Sequence, residues 1–146
     1  MKIIKSLLLV ALILTKVSFA QSERYTKGAE NGYMWLAMDE PTLSYNVSKG
    51  NYLSSILERI RVTGEKYPEI ASLTCKEDIN KLYNDEKSEK LSLEDVVKAI
   101  DGFYSHSNNL VIPIIFAYCY TIKKFAGVNS KELRIYRDDV LKFCYE

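Results

Sequence analysis

Apolar residues in this chain recur at helical spacing far more than at strand spacing. Tyr52, Leu53, Ile56, Leu57 and Ile60 share one side of a helical projection, with Ser54, Ser55, Glu58, Arg59 and Arg61 opposite. An amphipathic helix entering near Ser44 and leaving by Gly64 is predicted. Upstream, Asn31 to Met38 reads as a short apolar turn or helix around Trp35, closed by Asp39-Glu40-Pro41. Downstream, a short helix from Lys76 to Asn84 sets Ile79, Leu82 and Tyr83 on one side, and Asn84 to Lys90 reads as a solvated loop.

The clearest helix starts at Ser92. Ser92 and Asp95 resemble a capping box, and Leu93, Val96, Val97, Ile100, Phe103 and Tyr104 follow at i, i+3, i+4, i+7 spacing. Ser105 to Asn109 is a polar loop. From Ile112 to Ala126 the chain is apolar nearly all round, which makes that helix the expected centre of the domain. Gly127 stops it, Ser130 is expected to cap the last helix, and Leu133, Tyr136, Val140 and Phe143 give that helix its stripe. No segment alternates at period two strongly enough to predict a strand. The expected fold is all-α, a compact bundle of five or six helices.

The first 20 residues change the picture of where this bundle works. Lys2 and Lys5 precede an apolar run from Leu7 to Leu14 and a small-residue exit at Ser18-Phe19-Ala20. That is the layout of a cleaved secretory signal peptide, leaving residues 21–146 as one helical domain. The run is too short for a membrane anchor, which needs about 18 or more apolar residues. The stretch from Leu110 to Tyr120 is also too short and contains Pro113, so no membrane insertion of the mature chain is expected. A periplasmic or secreted location follows. Asn46-Val47-Ser48 matches a glycosylation sequon, relevant only in a eukaryotic secretory pathway.

Charge and cysteine content add two constraints. The chain has 20 basic and 19 acidic residues, and removing Lys2, Lys5 and Lys16 with the signal leaves the domain slightly acidic. A nucleic-acid partner, which calls for a basic footprint, is not expected. Cys75, Cys119 and Cys144 remain, and an oxidising compartment favours one disulfide plus one thiol. Cys119 sits in the most apolar segment, where a thiol is at home as a buried hydrophobe. Cys75 and Cys144 lie in polar surroundings near element ends, so this reading favours Cys75–Cys144, with the other pairings open.

Catalytic chemistry finds little support. The single histidine, His106, lies in a polar loop, and a Cys119–His106 pair would need a reactive thiol where the sequence predicts a buried one. Asp39-Glu40, Glu94-Asp95 and Asp138-Asp139 are adjacent pairs, which on a helix point apart. No phosphate loop, hydrolase elbow, zinc spacing or calcium loop is present. No catalytic residue, no cofactor and no metal is assigned. Trp35, Tyr52, Tyr104, His106 and Asn109 remain as a candidate partner-binding set, since Trp and Tyr favour interfaces. Packing of the aromatics into the core, with Asn109 capping the buried helix, is the competing reading.

At these residues the chain resembles a group of small exported bacterial helical proteins. The likeness rests on Asn31-Gly32 with Trp35, Lys49 with Tyr52-Leu53, Ser92 through Phe103-Tyr104, Asn109 with Ile112-Pro113, and Gly127. More distantly it is similar to Rap1a/Tai-type periplasmic immunity proteins, which neutralise toxins delivered by type VI secretion. Those also place one Cys before the capped helix and one near the C-terminus, as Cys75 and Cys144 would be. Cys119 and the stretch from Asn84 to Lys90 depart from that pattern. The resemblance implies a non-enzymatic domain that binds another protein, a toxin in its sharpest version. The alternative is a small ligand-binding protein or hydrolase using a cleft near Tyr104, His106 and Asn109.

Overall fold

The computed structural model describes residues 23–39, 48–56, 75–84 and 91–146. The export signal, the sequon at Asn46, the exit at Gly64 and most of the predicted loop from Asn84 to Lys90 lie outside them. Among the described residues the fold is helical with one small hairpin. Strands β1 (Tyr25–Thr26) and β2 (Ala29–Glu30) pair antiparallel. Lys27 and Gly28 join them, both at positive φ (48° and 79°). Two left-handed residues match the twist of a tight hairpin. Two paired residues per strand are too few to produce a visible alternation, which is why the sequence pattern does not predict the strands.

Among the described residues six α-helices follow: α1 (Gly32–Ala37), α2 (Lys49–Ser54), α3 (Lys76–Asn84), α4 (Leu93–Tyr104), α5 (Ile114–Phe125) and α6 (Ser130–Tyr145). The predicted bounds of α3 and α4 are met. α2 starts later than predicted, at Ser48, whose Oγ accepts from the Asn51 amide. The last helix is capped by Asn129 in place of Ser130. Asn129 is extended and its Oδ1 accepts from the amides of Lys131 and Glu132, while Ser130 is already helical. Ser92 caps α4 as predicted, with its hydroxyl accepting from the Asp95 amide and donating to the Asp95 carboxylate. Gly127 (φ 82°) ends α5, and the amides of Gly127 and Val128 close back on the carbonyls of Lys124 and Lys123. This 5→2 and 6→1 pair is the Schellman closure that favours glycine.

The centre is α5, packed against α3, α4 and α6, with α2 against α4. Ile114, Phe116, Ala117, Tyr118, Cys119, Thr121 and Ile122 of α5 are all buried, so the all-round apolar pattern marks the element with neighbours on several sides. Trp35, Tyr52, Ile56, Ile100, Tyr104 and Ile112 join the same core. Removing such side chains from water contributes roughly 1.5–3 kcal/mol each.

The hairpin is tied to the bundle through Asn31. Its Oδ1 caps α1 at the Tyr33 amide, and its Nδ2 donates to the Glu23 carbonyl and the Thr26 hydroxyl. Asn31 also bridges to Pro113 at the entry of α5. Next to it, Gly32 leaves no room for a side chain: a Cβ there would stand 2.5 Å from Tyr104 Cδ1 and 2.8 Å from Leu110 Cα.

The cysteine pairing corrects the sequence expectation. Cys75 is joined to Cys119, with 5.1 Å between Cα atoms, and Cys144 is the free, half-buried thiol. Cys75 is polar only in its sequence neighbours. The packing of α3 on α5 sinks it completely, next to the thiol that the apolar run had marked as inert. Burial pushes the Cys144 thiol up to about 11, against an opposing pull from Lys27.

A candidate ligand cleft between helices 4, 5 and 6

Three of the five sequence-selected residues lie inside the core and offer a partner nothing. Trp35 is fully buried and donates from Nε1 to Asp101 Oδ1 at 2.7 Å. The same oxygen accepts from Lys49, which also pairs with Asp39 and lies 5.1 Å over the indole ring. Burial disfavours the charge on Lys49, but hydrogen bonds to Asp101 and Asp39 outweigh it and the pKa is raised. Tyr52 meets Trp35 edge-on and donates to Glu30 Oε2 at 2.6 Å. Tyr104 donates to the Ile112 carbonyl at 2.9 Å, and burial holds its phenol far above the ordinary value. Tyr52 and Tyr104 thus put apolar bodies in the core with their hydroxyls tied inward.

The other two, His106 and Asn109, line a common cleft of about 400 Å³ built from the C-terminal end of α4 and from α5 and α6. His106 is exposed at the turn that leads into the 3-10 segment Ser107–Asn109. Asn109 is buried, 3% exposed, and donates from Nδ2 to the Phe103 carbonyl at 2.7 Å. It therefore closes the C-terminal end of α4 rather than capping α5, whose N-cap position is Pro113 without a side-chain bond. A C-terminal carbonyl left without an intrahelical donor explains the attraction.

That bond fixes the amide of Asn109 and leaves Oδ1 as a buried acceptor with no hydrogen-bond partner among the described residues. A second polar atom in the same state is the Thr121 hydroxyl on α5; Thr121 is a lining residue of the same cleft and is 1% exposed. A helical threonine ordinarily bonds back to the carbonyl one turn earlier. Thr121 does not. Leaving a buried polar group unpaired costs about 1–3 kcal/mol, and here two such atoms belong to residues of one cleft.

The walls and rim define the rest. Phe103 and Tyr120 stand with ring centroids 4.8 Å apart and present an aromatic wall. Lys98, Lys124 and Arg137 line the cleft with His106, and among the described residues no carboxylate lines it. Among the described residues Lys98 and Arg137 form exposed pairs with Glu94 and Asp138, which are weak and screened by salt. Gly102 also lines the cleft, and a Cβ there would meet no atom within 4 Å. Glycine inside a helix costs about 1 kcal/mol relative to alanine. Packing does not require it here, and its effect is to keep the cleft wide.

Tyr104 does not line this cleft; its neighbour Phe103 does. Lys98, Gly102, Tyr120, Thr121, Lys124 and Arg137 join the cleft without forming any sequence motif. Their one trace in the sequence is helical spacing: Lys98 and Gly102 are one turn apart on α4, as Thr121 and Lys124 are on α5. The Cys119 thiol lies in the disulfide, which removes the Cys119–His106 pairing from consideration. Comparison with protein families, with curated proteins and with solved structures gives no match. Among the described residues no helix is long and apolar enough to cross a membrane.

Proposed function

We propose that this chain is a non-catalytic binding domain, that the cleft between α4, α5 and α6 is its recognition site, and that its ligand presents an anionic group. The observation that carries this reading is that two buried polar atoms without a partner among the described residues belong to a cleft also lined by Lys98, Lys124 and Arg137. Export, expected from residues 1–20, would place the site in the periplasm or outside the cell. The Cys75–Cys119 bridge fits an oxidising compartment. The protein partner expected from the sequence, with a delivered toxin as its sharpest form, would engage by offering an acidic side chain or chain terminus to this cleft. Trp35, Tyr52 and Tyr104 are inside the core and cannot serve as its anchors.

The test is a titration of the disulfide-intact protein with small mono- and dicarboxylates and inorganic phosphate, followed by amide NMR. Saturable shifts at Gly102, Asn109 and Thr121 with at least one anion are expected, and they should vanish in the Lys124→Glu/Arg137→Glu double variant. Absence of such shifts with every anion, or their persistence in the double variant, contradicts the reading.

A further inference from the structure

We infer that the ligand is a small carboxylate carrying a neutral amide group, the chemistry shared by an N-acylated amino acid and the last residue of a peptide. This rests on the cleft being the recognition site and adds which molecules fit it. The Nδ2 bond to the Phe103 carbonyl leaves Asn109 Oδ1 as an acceptor buried under the lining of the cleft, so a guest that seats against it must bring an N–H or O–H donor. An ammonium donor is disfavoured by Lys98, Lys124 and Arg137 around the same space. The donor is therefore neutral.

The second buried atom narrows the choice. The Thr121 hydroxyl has its own proton to give and lacks an acceptor among the described residues. An amide supplies a donor and an acceptor on neighbouring atoms, one for Asn109 and one for Thr121. The dianion of a phosphate monoester has no donor, and its oxygens would meet the Asn109 oxygen as like partial charges. The negative charge instead belongs at the rim, on a separate carboxylate within reach of the lysines and Arg137. A volume of about 400 Å³ exceeds what a lone anion fills and suits a small organic molecule. The Phe103–Tyr120 wall would receive its apolar side chain.

The test compares four probes on the disulfide-intact protein by NMR shifts and calorimetry: N-acetylleucine, N-acetylleucinamide, 4-methylpentanoate, and an N-acetylated tetrapeptide ending in leucine with a free carboxylate. N-acetylleucine is expected to shift Gly102, Asn109 and Thr121 saturably. Removing the carboxylate or the amide should each weaken binding about tenfold or more, as for the loss of a charge-assisted or buried hydrogen bond. Thr121→Val, which keeps shape and removes the hydroxyl, should weaken N-acetylleucine about fivefold or more and leave 4-methylpentanoate nearly unchanged. Tetrapeptide binding at the same residues supports the class with a peptide terminus as the source; exclusion of the tetrapeptide supports it with a free small molecule. Equal binding of N-acetylleucine and 4-methylpentanoate, or binding of inorganic phosphate alone, overturns the amide-carboxylate assignment while the cleft stands. If no probe and no anion shifts the cleft, both fall.

Discussion

Cys75 and Cys119 join the start of α3 to the middle of α5, and one turn further along the same two helices Asp78 meets Lys123 at 2.6 Å. The covalent link and the ion pair hold α3 against the central helix along one seam. The bridge closes a separation of 44 residues, so its removal should cost about 2–4 kcal/mol, mainly through a freer unfolded chain. Non-reduced peptide mapping should find Cys75 bonded to Cys119, and Cys75→Ala/Cys119→Ala should lower the melting temperature clearly. A double variant that melts with the parent would contradict this account of the seam.

Two glycines should respond in opposite directions to the same substitution. Gly32→Ala forces a methyl against the Tyr104 ring and the Leu110 backbone and should destabilise by about 1–3 kcal/mol, the usual range for overpacking. Gly102→Ala enters open space and should stabilise α4 by about 0.5–1 kcal/mol. Denaturant unfolding of the two variants measures both signs in one series.

Thr121→Val separates stability from binding. The parent buries a hydroxyl without a partner among the described residues, and replacing it by a methyl of the same shape should stabilise by about 1 kcal/mol. Weaker ligand binding in a more stable protein is the expected combination. A loss of both would mean that Thr121 serves the fold.

Alkaline pH should destabilise the domain. Burial raises Cys144 from 9.0 to about 11 and raises Tyr104 and Tyr136 from 10.0, Tyr136 with a further contribution from Asp78. The unfolded chain therefore releases these protons first, and the native state holds more of them above about pH 9. The stabilisation is complete below the unfolded values and is lost as pH rises through the native ones. Thermal unfolding followed from pH 8 to 10.5 should show a steady fall, and Cys144 should react slowly with iodoacetamide at pH 8. A flat profile across that range would contradict the burial of these groups.

Much of the fold was legible because helical periodicity is a local signal. Val96, Ile100, Phe103 and Tyr104 announced α4, and the unbroken apolar run announced α5 as the centre. The cysteine pairing was not legible, because it depends on how α3 lies on α5, and the polar neighbours of Cys75 say nothing about that. Of the candidate residues, His106 and Asn109, a polar loop beside aromatics, line the cleft. Trp35, Tyr52 and Tyr104 are interface-type residues by side chain, but packing draws them inside while Asp101, Glu30 and the Ile112 carbonyl take their polar tips. Thr121 was hidden in a run read only for hydrophobicity.

The most direct measurement is a crystal structure of the disulfide-intact protein grown with N-acetylleucine. The account expects the amide nitrogen within hydrogen-bonding distance of Asn109 Oδ1, the amide oxygen facing the Thr121 hydroxyl, and the carboxylate turned towards Lys98, Lys124 or Arg137. A cleft occupied by water alone at saturating ligand, or a ligand bound elsewhere on the surface, would contradict it.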